Sequence, residues 1–163
     1  MTRFGFGYDI HRFVPKRKLV LGGVRIPSKV GLLGHSDADA LLHAICDALL
    51  GAAALGDIGQ HFPDTDLRFK GMSSLKFLVA TQELLDAAGY RLINIDSTLV
   101  LQAPKVAPHI PTMRRKIAKA LKVGVDVVSI KATTNEGLGA LGAGAGCAAY
   151  AVAAIEKQTD LIQ

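Results

Sequence analysis

Apolar residues at every second position, Phe4, Phe6 and Tyr8, predict a strand over residues 2–8. Residues 18–26 read as a small hairpin turned by Gly22-Gly23. Residues 31–35 form a loop, after which Ser36 N-caps a helix over 37–55, with Asp37 and Asp39 in its first turn. Residues 56–72 are polar and broken by Gly56, Gly59, Pro63 and Gly71, which predicts a structureless lid or binding loop. Ser73 or Ser74 caps a second amphipathic helix ended by Gly89, and 93–101 alternates as a strand until Ala103-Pro104. A third helix starts at Pro111 and runs to about 123, and a strand over 127–133 leads into a glycine-rich stretch, 137–146. The final segment, 147–155, is open: its alanines favour a helix, while its place after a glycine-rich loop permits a strand. These elements predict an α/β (α+β) two-layer sandwich, a mixed four-stranded sheet packed on helices plus a small hairpin. A single domain over 1–163 is expected.

Composition narrows the function classes. Half the residues are hydrophobic and 20% are charged, the profile of a globular protein rather than a disordered one. The net charge of +5 is spread along the chain. Its densest groups, Lys16-Arg17-Lys18 and Arg114-Arg115-Lys116, lack interleaved aromatics, so no nucleic-acid partner is expected and a polyanionic small substrate is preferred. Cys46 and Cys147 have neither metal-binding nor disulfide-framework spacing. The start of the chain lacks a signal-peptide core, and the apolar run 140–155 is too short and glycine-broken for a membrane span, so a cytoplasmic location is expected.

Three segments carry candidate chemistry. Asp9-x-His11 projects two ligands to one face if that stretch stays extended. Asp39, His43 and Asp47, spaced i, i+4, i+8, form a polar stripe on an otherwise apolar helix, and His43 offers a third ligand. Histidine and carboxylate ligands with one open position make a catalytic zinc site. The plainer alternative is a turn at Asp9-x-His11 and a hydrogen-bonded core histidine. Gly137-Leu138-Gly139-Ala140-Leu141-Gly142 matches a dinucleotide fingerprint, but the remaining chain is too short for the rest of that fold, and close packing is the better account. Lys131-Ala132-Thr133-Thr134-Asn135-Glu136 offers hydroxyls and amides for phosphate oxygens and a carboxylate for a hard cation, or else an ordinary polar turn.

Taken in order, Gly7-Tyr8-Asp9-Ile10-His11, His35-Ser36-Asp37-Ala38-Asp39, Gly56-Asp57-Ile58-Gly59, Phe62-Pro63-Asp64-Thr65-Asp66, Gln102-Ala103-Pro104-Lys105 and Lys131-Ala132-Thr133-Thr134 resemble the 2-C-methyl-D-erythritol 2,4-cyclodiphosphate synthase family. The resemblance spans nearly the whole chain. It implies a homotrimer with active sites between subunits, acting on a small-molecule diphosphocytidyl substrate and releasing CMP. It implies zinc on Asp9, His11 and His43, a second divalent cation (Mg²⁺ or Mn²⁺) on Glu136, and transition-state stabilisation by His35 and Thr134. Asp57, Ile58, Gly59, Phe62, Pro63, Asp64, Thr65 and Asp66 match the segments that hold the methylerythritol portion. Leu101, Gln102, Ala103, Pro104, Lys105, Val106 and Ala107, with Thr133, match the cytidine pocket. Substrate contacts are also implied at Asp9, Ile10, His11, His35, Ser36, Thr134, Asn135 and Glu136.

One departure stands out. Where the family often carries an aromatic, an Arg and a Glu in the glycine-rich segment, this chain has Ala140, Ala143 and Ala145. The expectation is an uncharged channel along the trimer axis with little affinity for isoprenoid diphosphates. Rival readings are a zinc-dependent nucleotide hydrolase with the same ligands and a metal-stabilised trimeric binding module.

Overall fold

The computed structural model describes residues 1–158; residues 159–163, the end of the expected domain, lie outside the described residues. Strand β1 spans Thr2–Pro15, twice the predicted length, because it is paired on one side as far as Arg12 and on the other from Phe13 onward. Strands β2 (Leu19–Leu21) and β3 (Val24–Ile26) form the predicted hairpin, with Gly22 and Gly23 both at positive φ in its turn. Strand β4 (Val30–Leu32) lies partly where a loop was expected. Its three residues are too few to show alternation, and it exists through pairing with Phe13–Pro15.

Helix α1 covers Ala40–Ala52, three residues shorter at each end than predicted. The cap is Asp39 rather than Ser36, its carboxylate accepting from the Leu42 amide at 3.1 Å. The same carboxylate accepts from the amides of Gly22 (2.9 Å) and Gly23 (2.7 Å), so it docks the hairpin onto the start of the helix. Burial and the charge of Asp37 push the Asp39 carboxyl up to about 6, against the pull of those three amides. Nor does 56–72 lack structure: α2 (Ile58–His61) and a 3₁₀ turn at Leu67–Phe69 lie within it. Phe62 and Phe69 hold that segment down on Phe77, with the Phe62 and Phe77 rings stacked at 4.8 Å.

Helix α3 (Ser74–Ala87) ends before Gly89, which has φ +72°. Strand β5 (Tyr90–Val100), helix α4 (Ile110–Leu121) and strand β6 (Val128–Thr133) follow the predicted order, with Pro111 in the first turn of α4. The glycine-rich stretch holds a one-turn helix, α5 (Gly139–Gly142), before strand β7 (Gly146–Lys157). The ambiguous final segment is therefore a strand. Helix propensity is a weak prior, and pairing along both edges overrides it.

Among the described residues the sheet is mixed and has five strands, not four, in the order β4-β1-β7-β5-β6. Only β5 and β6 run parallel. Ala153 and Ala151 of β7 sit beside Gly5 and Gly7 of β1, Ala149 and Cys147 beside Asp9 and His11, and the glycines, alanines and cysteine are buried under α1. These small side chains let the helix lie close to the sheet. On α1, Leu41, Leu42, Ile45 and Leu49 are fully buried between the sheet and α3, each worth roughly 1.5–3 kcal/mol of transfer free energy. Among the described residues the opposite face of β1 and β7 meets only the one-turn α5, at its Ile10 end. It presents Phe4 (72% exposed), Phe6 (64%), Tyr8, Ile10, Tyr150 and Val152. No helix among the described residues is long and apolar enough to cross a membrane.

Candidate active site

Asp9 and His11 lie within β1 rather than at its end, and as alternate residues they point to the helix-covered face. Just past the glycines on which α1 rests, His43 comes down to meet them. The Asp9 Oδ2 atom is 2.9 Å from His11 Nε2 and 3.0 Å from His43 Nδ1, and the two nitrogens are 3.4 Å apart.

The outer ring atoms are also engaged. His11 donates from Nδ1 to the Leu33 carbonyl at 2.7 Å. His43 directs Nε2 to the hydroxyls of Ser74 (2.9 Å) and Ser36 (3.2 Å), and Ser74 in turn donates to the Asp37 carboxylate. Such partners fix tautomers and leave His11 Nε2, His43 Nδ1 and the Asp9 carboxylate free to converge on a metal ion. Among the described residues these three form one group of ligand atoms lying within 4.8 Å of one another. Burial raises the Asp9 pKa, but hydrogen bonds and charge from His11 and His43 outweigh it and hold the carboxyl down at about 2. Burial likewise lowers His11, yet Asp9 outweighs it and raises the imidazole above its ordinary value. Two imidazoles and a carboxylate, with room for a further ligand, fit a divalent metal of zinc's preferences.

A cavity of about 500 Å³ opens beside this cluster. Of the residues expected to bind substrate, His35, Ser36, Ile58, Gly59, Phe62, Pro63, Asp64 and Thr65 line it together with His11 and His43. Phe69 and Phe77, not singled out from sequence, complete its apolar wall. His35 donates from Nε2 to the Asp66 carbonyl at 3.1 Å. Asp57 and Asp66 cap the turns that follow them, accepting from the Gln60 and Arg68 amides. Asp47 accepts from the Ile58 amide at 2.7 Å, tethering the same segment to α1. Asp39 and Asp47, one helical turn to either side of His43, are therefore spent on backbone amides rather than on the cluster: one docks the hairpin and the other anchors the loop.

Other expected residues lie elsewhere. Leu101, Gln102, Pro104, Lys105, Val106 and Ala107 with Ala132, Thr133 and Thr134 line a separate cavity of about 160 Å³, and Ala103 joins Pro104 through a cis peptide. Thr133 pairs with Val100, Val100 with Ala148, and Ala148 with Ile10. At the usual strand spacing this puts Thr133 about 14 Å across the sheet from Ile10. Glu136, in the left-handed region at φ 51°, turns its amide onto the Thr134 hydroxyl (3.2 Å), and Asn135 donates to the Leu138 carbonyl (2.8 Å). Ile10 faces away from the metal cluster, toward a hollow of about 530 Å³ that also touches Ala140 and Ala145. Ser74 and the Leu33 carbonyl, the outer partners of the histidines, were missed. Ser74 carried only a capping signal, and a carbonyl carries none.

A family model described as the YgbB family matches residues 2–156. The chain belongs to the YgbB family. A member named 2-C-methyl-D-erythritol 2,4-cyclodiphosphate synthase from Clostridium perfringens is 57% identical over 155 residues, covering 95% of this chain and 99% of its own. A relative of the same name from Syntrophobacter fumaroxidans is 63% identical over 150 residues, covering 92% and 94%. Among solved structures, the bifunctional IspDF from Campylobacter jejuni matches with a TM-score of 0.94 at 39% identity, over 100% of this chain and 44% of that longer one. A CDP-bound 2C-methyl-D-erythritol-2,4-cyclodiphosphate synthase matches at TM-score 0.86 and 40% identity, over 94% of this chain and 100% of that one. In this YgbB family chain the cluster and the cavity beside it lie within the matched residues.

Proposed function

We propose that the chain converts 4-diphosphocytidyl-2-C-methyl-D-erythritol 2-phosphate to 2-C-methyl-D-erythritol 2,4-cyclodiphosphate, releasing CMP, in non-mevalonate isoprenoid biosynthesis. It is a cytoplasmic phosphorus–oxygen lyase acting as one domain over residues 1–163. The observation that carries this reading is the Asp9, His11 and His43 cluster opening onto a 500 Å³ cavity, in a chain 57–63% identical to named synthases.

The 2-phosphate attacks the β-phosphorus while the bond from that phosphorus to the CMP oxygen breaks. Because the nucleophile is already an anion, the obstacle is charge repulsion and orientation rather than deprotonation. Zinc held by Asp9, His11 and His43, and Mg²⁺ or Mn²⁺ held by Glu136, would supply charge neutralisation. His35 and Thr134 stabilise the developing charge. Ser36 and the 57–59 and 62–66 segments hold the methylerythritol portion, and the apolar wall of Phe62, Phe69 and Phe77 limits water. Leu101 to Ala107 with Thr133 hold the cytidine.

The working unit is a homotrimer whose sites form between subunits. Two features support it: Thr133, in the expected cytidine cavity, stands about 14 Å across the sheet from Ile10, which lies between the two metal-cluster residues Asp9 and His11, and an aromatic face on β1 and β7 is exposed among the described residues. Incubation with the diphosphocytidyl substrate, Mg²⁺ and zinc tests the reading by phosphorus NMR. CMP and a cyclic diphosphate are expected; a linear product would mean hydrolysis, and no turnover a binding module.

A further inference from the structure

Arg17 lies between the hairpin and the metal centre, half-buried, and its fork is spent on two backbone carbonyls. Nη1 donates to the Gly34 carbonyl at 3.0 Å and Nη2 to the Ser36 carbonyl at 2.9 Å. No carboxylate pairs with it among the described residues. The two bonds bracket His35, whose ring is anchored at its far end on the Asp66 carbonyl.

The segment from Leu33 to Ser36, which contains this bracket, carries an outer partner of each histidine. Its first residue, Leu33, accepts from His11 Nδ1 through its carbonyl, and its last, Ser36, approaches His43 Nε2 through its hydroxyl at 3.2 Å. Space there is tight. A Cβ on Gly34 would stand 2.8 Å from the Ala38 Cβ and 3.2 Å from the His11 ring. The segment can therefore shift little without displacing His11.

We infer that Arg17 is a positioning residue for the metal centre, its two-pronged grip on Gly34 and Ser36 setting the 33–36 segment that orients both His11 and His43. The inference rests on the proposed metal reading. A planar fork with two parallel donors suits two carbonyls two residues apart. A lysine would keep the charge but present a compact, mobile donor in its place.

The test compares zinc affinity, by chelator competition, for the full chain and for Arg17→Met, Arg17→Lys and Arg25→Met, the last removing a nearby exposed charge that touches nothing in the segment. Loss of an outer partner costs about 10–100-fold in metal affinity. Arg17→Met should show that loss, Arg17→Lys should recover only part of it, and Arg25→Met should match the unmodified chain. Turnover lost by Arg17→Met at limiting zinc should return toward normal at saturating zinc, with a metal-free melting temperature close to that of the unmodified chain, which a general folding defect would lower. Unchanged affinity in Arg17→Met overturns the inference, as does full recovery in Arg17→Lys, which would leave charge alone as the cause. If Arg17→Met does not fold, Arg17→Lys decides by the same comparison. Hydrogen exchange at the Asp37 and Ala38 amides, bonded to the Met72 carbonyl and the Ser36 hydroxyl, should also quicken in Arg17→Lys without metal. An unmodified chain that binds no zinc would sink the metal reading, while this exchange would still decide whether Arg17 holds the segment.

Discussion

Gly7 lies so close to α1 that a Cβ at its position would stand 1.9 Å from the carbonyl oxygen of Ala44. Position 44 directly follows His43, so this approach sets how far His43 sits from Asp9 and His11. Gly7→Ala forces helix and strand apart. We expect a loss toward the upper end of the roughly 1–3 kcal/mol that overpacking costs. Weaker zinc binding should accompany it. Denaturant melts and chelator competition measure the two, and a stable variant with normal zinc affinity would contradict the account.

On the proposed metal reading, His43→Ala removes one of three ligands and leaves the Asp9 carboxylate with one imidazole. With one of the three proposed ligands gone, zinc should no longer copurify stoichiometrically, and turnover should fall by about 100-fold or more. Stripping the unmodified chain with a chelator should lower turnover in the same way, reversibly on readdition of zinc. Metal analysis beside a CMP-release assay reads both.

Zinc binding should weaken as pH falls. His11 must give up its Nε2 proton to bind, and Asp9 raises its pKa above the ordinary 6.5 despite the opposing effect of burial. Asp9, held at about 2, stays ionised throughout and adds nothing to the slope. Affinity should be level above the His11 pKa, then drop about tenfold per unit below it for one displaced proton. Titrations between about pH 5 and 8 measure it; a flat profile would show that His11 is not a ligand.

The uncovered aromatic face makes a separate prediction. Phe6 is 64% exposed and its ring lies 6.4 Å from that of Tyr150, so Phe6→Arg should leave the single chain folded. A charge in the middle of an apolar interface should break the trimer and with it turnover, while zinc binding by the isolated chain persists. Light scattering coupled to gel filtration reports the mass. A fully active trimer in this variant would move the interface elsewhere.

Closure of the 56–72 segment is the last prediction. It rests on Phe62 and Phe69 packed against Phe77, contacts that a bound ligand in the adjoining cavity would reinforce. Exchange protection of its amides should rise with CMP or cyclic product. Unchanged protection would rule out a closing lid.

The order of elements was legible from periodicity and punctuation: the Gly22-Gly23 turn, the stop at Gly89 and the helix opened by Pro111 all stand where expected. So was the pairing of Asp9 with His11, because alternate residues of a strand share a face whatever surrounds them. Asp39 shows the limit. On a helical wheel it joins His43 and Asp47, yet its carboxylate serves three amides, two of them in a hairpin some sixteen residues earlier.

What the sequence by itself determined is the set of local choices: strand faces, turns, helix stops and the donor types of the candidate metal site. The motif pattern identified the family, and the comparisons agree. Only the tertiary structure decided that 147–155 is a strand, that β4 exists, and that His43 reaches the same carboxylate oxygen as His11. Local propensity is set by a residue and its near neighbours. Edge pairing, helix-to-sheet distance and the outer partners of a histidine depend on groups far along the chain, and backbone carbonyls such as those of Leu33, Gly34 and Ser36 leave no mark in the sequence at all.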